Sequence, residues 1–160
     1  MKPSKKIYYI LMFLPLAVTL VALFFLPDRI PAHYGFDGNV DRYGSKFEAL
    51  ILPVVTIPFG YFMLAMGKLS SRAETNKNNN NEKAVVITGS LALLVFNVMA
   101  YYFLYADFKN TQNIYEAPAF SLSIYQIIFS LLGIVMIVTG NIMPRLKRNS
   151  IAGLRTKWSL

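Results

Sequence analysis

The sequence predicts an all-α integral membrane protein with about four transmembrane helices and both termini in the cytoplasm. Two observations carry that prediction. Four long runs contain no charged side chain, and lysine and arginine alternate in density between the segments that join them. The hydrophobic fraction of 55% and mean hydropathy of +0.43 exceed the roughly 45–50% apolar content of soluble domains. The 160 residues are read as a single membrane domain.

The first run, residues 7–26, is about as long as a helix rising about 1.5 Å per residue needs to cross roughly 30 Å of hydrocarbon. Lys2, Lys5 and Lys6 precede it. The apolar stretch exceeds the roughly 7–15 residues of a signal-peptide core, and no A-x-A site follows, so an uncleaved helix is expected. Pro15 should bend it, as helices in lipid tolerate. The second run, residues 49–67, carries Pro53 and Pro58 and is expected to be kinked or broken near its outer end. The third and fourth are residues 84–106 and 122–143. Tyr8 and Tyr9 open the first helix, while Tyr101, Tyr102 and Tyr105 crowd one end of the third. All five suit the interface, where ring and hydroxyl meet different solvents.

Orientation follows from the cations. Twelve of the 16 lysines and arginines lie in the N-terminal tail, the 68–83 loop and the 144–160 tail; four lie in the 27–48 and 107–121 loops. The positive-inside rule places the first group in the cytoplasm. Six of the eight acids fall in the other two loops, so the formal charge is +10 inside and −2 outside. The net +8 is therefore matched to anionic lipid rather than to nucleic acid, and no direct nucleic-acid partner is expected. Asn78 to Asn81 lie in a polar, low-complexity linker.

The outer 27–48 loop is dense in turn chemistry. The Ile30–Tyr34 stretch should be extended, because a residue before proline avoids helix. Phe36-Asp37-Gly38-Asn39 is a turn, and a short hairpin or ordered loop on the membrane surface is expected. Asp37, Asn39, Asp41 and Glu48 match positions one, three, five and twelve of an EF-hand loop. Arg42 stands where the turn requires glycine, so calcium binding is disfavoured. His33 with the loop acids offers two ligand types for a transition metal, which is weak support. His33 reads first as a hydrogen-bonding loop residue. The chain has no cysteine and one histidine, which excludes disulfides and any multi-histidine zinc cage.

Asn97 and Gln126 are the polar residues inside the third and fourth runs. Interhelical hydrogen bonding is the first reading of both, a ligand or ion path the second. No acid or base lies in a helix centre, so a proton relay is missing, and Ser90, Ser130 and His33 do not assemble a triad. No catalytic residue, metal site or cofactor is expected, and the protein is not read as an enzyme.

Two stretches carry a family resemblance. The first, Leu26-Pro27-Asp28-Arg29-Ile30-Pro31-Ala32-His33-Tyr34-Gly35-Phe36-Asp37-Gly38, resembles the P-x-x-I-P-x-H loop of a bacterial membrane domain of unknown function. That domain often forms the N-terminal part of SdpI-like immunity proteins. The second, residues 140–160, resembles that family's G-N-x-(M/L)-P-(K/R) … N-x-x-x-G-(I/L)-R-T-x-W-(T/S)-L signature. Asn141, Pro144, Asn149, Gly153, Arg155 and Trp158 match it one by one, while Lys157 stands where the family often has proline. Family members usually continue into about two more membrane helices; this sequence ends at Leu160, which fits a short form or a truncated, inactive member.

The resemblance implies a cell-membrane protein that protects against a secreted toxic peptide and that can hold a cognate transcriptional repressor at the membrane. It makes His33, Asp37, Gly38, Asn141, Pro144, Asn149, Gly153, Arg155 and Trp158 candidate partner-binding residues. The tail residues also have an interfacial reading, with Pro144 ending a helix, cations facing headgroups and Trp158 as an anchor. A transporter or channel subunit is the alternative.

Overall fold

The computed structural model describes residues 5–35, 40–72, 80–111 and 124–142. It is mostly helical. Four α-helices, α1 (Lys5–Ala22), α2 (Ile51–Arg72), α3 (Asn80–Thr111) and α4 (Ile124–Ile142), surround one small antiparallel hairpin, β1 (Arg29–Tyr34) and β2 (Val40–Ser45). A 3-10 turn, η1 (Lys46–Leu50), links the hairpin to α2. The third helix touches all three others and β1, which makes it the spine of the molecule.

Three helical segments, Lys5–Ala22, Lys46–Ser71 and Asn81–Lys109, are long and apolar enough to cross a membrane. In α4 the apolar stretch is Gln126–Ile142, shorter than those three; the rest of the expected 122–143 run reaches outside the described residues. Much of the helical surface is apolar and uncovered, including Phe24 at 87% exposure and Met136 at 72%. A soluble monomer seldom exposes so much contiguous hydrocarbon, whereas lipid covers it at no cost.

The helix ends differ from the uncharged runs for local reasons. Helix α1 ends at Ala22 rather than at residue 26. The chain tightens there through Phe24 N–H to Val21 C=O and Phe25 N–H to Ala22 C=O, and Pro27 bars any continuation. Helix α2 begins at Ile51 because residues 46–50 form the 3-10 turn, and it then runs unbroken through Pro58 to Arg72. Pro53 therefore sits in its first turn, where backbone N–H groups have no intrahelical acceptor and their loss is harmless. Of the expected kink or break, the α-helix shows no break at either proline, and the change from 3-10 to α falls at residues 50–51. Helix α3 spans 32 residues, about 48 Å, so it extends beyond the hydrocarbon at one or both ends.

Packing divides into two clusters. One joins Tyr8, Met12, Val86 and Leu93, with Phe59 and Leu64 against it. The other joins Ala22, Leu26, Ile30 and Leu104, and fixes β1 on the end of the α1–α3 pair. Tyr8 corrects the interfacial expectation. It is 1% exposed, and its hydroxyl donates to the Gly60 carbonyl at 2.7 Å, so it ties α1 to α2. A tyrosine near a helix end serves the interface only if no neighbouring helix crosses it, and α2 does. Tyr9, half uncovered, keeps the expected exposure.

Asn97 has a specific job. Proline at position 15 has no N–H, so the carbonyl of Leu11, four residues earlier, lacks its helical donor. The Asn97 side-chain amide fills that gap from α3, with Nδ2 2.7 Å from the Leu11 oxygen and 2.7 Å from the Leu93 oxygen. Its Oδ1 accepts from the Tyr101 hydroxyl at 3.2 Å. Both amide hydrogens and the carbonyl are thereby engaged within the bundle.

Candidate functional site: an outer-loop pocket

The hairpin owes its shape to two irregularities. Arg29 pairs with Ser45, Ile30 with Gly44 and Pro31 with Tyr43, but the register then shifts on each side of His33, which pairs with Arg42. The shifts leave Ala32 as an extra residue in β1 and Asp41 as an extra residue in β2, a pair of bulges that twists the ribbon. Pro31 is tolerated because a two-stranded sheet consists only of edges. The base is closed by Lys46, whose N–H donates to the Asp28 carbonyl at 3.1 Å and whose Nζ lies 2.9 Å from the Asp28 carboxylate.

Glu48 organises the next turn. Its carboxylate accepts from Arg42 at 2.8 and 3.3 Å, and from the backbone N–H of Ser45 at 3.3 Å as half of a capping box. Hydrogen bonding to Glu48, and then its charge, push the Arg42 guanidinium further above its already high ordinary range. Gly44 makes this approach feasible. A Cβ there would meet the Glu48 carboxylate and lie 2.8 Å from the Ala32 Cβ. His33 Nδ1 lies 2.6 Å from Asp41 Oδ1, both side chains being more than half exposed.

These groups border a pocket of about 400 Å³. Its walls are Pro31, Ala32 and His33 of β1, Arg42 of β2, Glu48 and Ala49 of η1, and Ile51 and Leu52 of α2. Ala100, Phe103, Leu104 and Asp107 of α3 and Ile128 of α4 complete it. The lining is mainly apolar. Asp107 is 3% exposed, a carboxyl set in the wall at the end of α3 and in contact with other groups of the protein. A half-open cleft, mainly apolar with a few polar groups at its rim, has the lining composition of a small-ligand site.

Among the described residues, His33 of the partner-binding candidates lies at this pocket, as does Glu48 of the calcium pattern. Asp37 and Gly38, and Pro144, Asn149, Gly153, Arg155 and Trp158, lie outside the described residues. Asn141 is exposed on α4, its Nδ2 donating to the Ile137 carbonyl at 3.0 Å. Gln126 is also exposed on α4, and Asn97 belongs to the α1–α3 contact. Of the EF-hand pattern, Glu48 is paired with Arg42 and Asp41 with His33, while Asp37 and Asn39 lie outside the described residues. Among the described residues, no three acids or histidines gather as a metal site.

Sequence reasoning missed the α3 wall. A signal existed: positions 100, 103, 104 and 107 share one helical face, and the last is an acid just past the uncharged run.

Residues 10–57 match the family model described as a domain of unknown function (DUF1648). An uncharacterized protein of Archaeoglobus fulgidus is 53% identical over 30 residues, which cover 19% of this chain and 16% of the relative. No solved structure matches the chain. The DUF1648 match takes in most of α1, the hairpin, η1 and the start of α2, and so includes four of the six elements that line the pocket, while α3 and α4 line it from outside the match.

Proposed function

We propose that this is a non-catalytic, multi-pass cell-membrane protein of the SdpI-like kind. It gives immunity to a secreted toxic peptide, holds a cognate repressor at the membrane, or does both. Both termini and the segment joining α2 to α3 face the cytoplasm; the hairpin and its pocket face outward. The observation that carries this reading is the pocket itself, a half-open, mainly apolar cleft bordered by a loop of the sequence type that accompanies such immunity proteins. The asymmetry of charge supports the orientation. Nothing specific favours the transporter alternative, since the Asn97 amide on which it drew is engaged in structural hydrogen bonds.

The test is survival. A Gram-positive host lacking immunity to a secreted peptide toxin should survive that toxin better when it expresses this chain. Ala49→Trp, which fills the pocket from η1, should remove the protection at an equal membrane level. Unchanged killing with the wild-type chain inserted in the membrane would refute the proposal.

A further inference from the structure

Helix α4 directs its polar and small residues away from the rest of the protein. It packs chiefly on α3, and none of the side chains described on it is buried. At about 100° per residue, Gln126, Ser130, Gly133, Ile137 and Gly140 fall within about 40° of one line along the helix, and all are exposed. Ile128, Leu131 and Val135, on the opposite side, are partly covered. A Cβ added at Gly133 or Gly140 would meet nothing within 4 Å. Contacts inside the bundle follow the reverse pattern: Thr56 and Gly60 of α2 turn inward, onto Met12 and Tyr8 of α1.

Hydrocarbon around a membrane helix solvates Phe129 and Met136 on this face, but it offers no hydrogen bond to Gln126 or Ser130. Polar and small side chains in such helices gather where another helix lies, the small ones because backbones close over them. We propose that this stripe is the interface between two copies of the chain, crossing at Gly133 about a two-fold axis along the membrane normal. Two copies with one topology share one depth, and closing the pair by that axis sets each α4 residue opposite its own counterpart. Self-pairing requires groups that both donate and accept. Gln126 and Ser130 do, and Ile124–Ile142 carries no charge that would repel its own copy. Gln126 already has an interaction within the chain, and the two hydrogens and two lone pairs of its amide leave capacity for a second. Gln126, Gly133 and Gly140 stand seven residues apart, the spacing of a left-handed crossing. The inference rests on α4 crossing the membrane, as in the reading above, and not on the immunity role.

Cysteine cross-linking of the full chain in cell membranes tests it. On oxidation, Ser130→Cys, Gly133→Cys and Gly140→Cys should each give a product of twice the 18.1 kDa chain mass, and Leu131→Cys and Val135→Cys should not. In phosphatidylcholine vesicles, energy transfer between labelled copies of the purified chain should report reversible association. Gly133→Ile should weaken that association about tenfold or more. Gln126→Leu should weaken it about threefold or more. Gly133→Ile should leave the unfolding of the single chain unchanged, because the space beyond Gly133 is open. Leu132→Cys, exposed on α4 beside the stripe, should resist a membrane-impermeant maleimide even in opened cells, which checks the span separately. Equal cross-linking on both sides of α4, or no energy transfer at any protein-to-lipid ratio, would overturn the inference. So would Gly133→Cys joined only to a different protein. A monomeric chain that still protects cells would sink the pairing and leave the immunity reading intact, whereas labelling of Leu132→Cys would remove the span itself.

Discussion

Asn97→Leu is expected to destabilise the protein by about 2 kcal/mol, within the roughly 1–3 kcal/mol cost of leaving a buried polar group unsatisfied. The average interhelical hydrogen bond in a membrane contributes only about 0.6 kcal/mol, because the separated helices find other partners. The Leu11 carbonyl is a different case. Its helical donor is missing at Pro15, so the Asn97 amide at 2.7 Å is what satisfies it. The Leu93 carbonyl, by contrast, has the backbone N–H of residue 97 as its ordinary helical donor. Loss of the amide also removes the acceptor of the Tyr101 hydroxyl. A double-mutant cycle isolates the mechanism. Pro15→Ala restores an N–H to the Leu11 carbonyl, and in that background Asn97→Leu should cost about 0.5–1 kcal/mol, the value of an ordinary membrane hydrogen bond. Equilibrium unfolding in mixed micelles measures all four corners. Equal costs of Asn97→Leu in the two backgrounds would show that the amide does not serve the proline gap.

Gly60→Leu should cost about 2–4 kcal/mol, combining overpacking of about 1–3 kcal/mol with loss of a hydrogen bond of about 1 kcal/mol. A Cβ at this position would run into the Met12 side chain, its Cγ only 2.8 Å away, and Met12 is fully buried. The same close approach of backbones lets the Tyr8 hydroxyl reach the Gly60 carbonyl. The comparison is Gly133 in α4, where a Cβ would meet nothing within 4 Å. Gly133→Ala should be neutral or gain up to about 1 kcal/mol of helix propensity. The same micelle unfolding measures both variants. A Gly60 substitution as mild as the Gly133 one would mean that α1 and α2 do not meet as described.

How far the sequence disclosed this architecture depended on whether the information was local. Uncharged runs are local, because hydrocarbon excludes charge along each span separately, and three of them appear as helices long enough to cross. The hairpin was also within reach: Pro31 keeps Ile30 out of helix, and the 36–39 stretch has turn composition, so paired strands on either side follow. The two bulges, at Ala32 and Asp41, are set by cross-strand register, and no hydrophobic periodicity encodes that. Pro15 and Asn97 were both conspicuous, yet their partnership spans 82 positions and exists only because α1 lies against α3. Tyr8 was misread for the same reason. Its exposure is set by Gly60, a residue whose missing side chain carries no hydropathy signal. The pocket was the least legible feature, since its walls come from six separate elements.

The proposed immunity role requires the pocket to face outward, and the absence of cysteine from the sequence allows sidedness to be read directly. Single cysteines at Tyr43, exposed on the hairpin, and at Asn79, between α2 and α3, can each be challenged with a membrane-impermeant maleimide on intact cells. The Tyr43→Cys chain should label at once, and the Asn79→Cys chain only after the membrane is opened. Labelling of Asn79→Cys on intact cells, with Tyr43→Cys protected, would reverse the orientation and remove the proposed site from the face where a secreted peptide arrives.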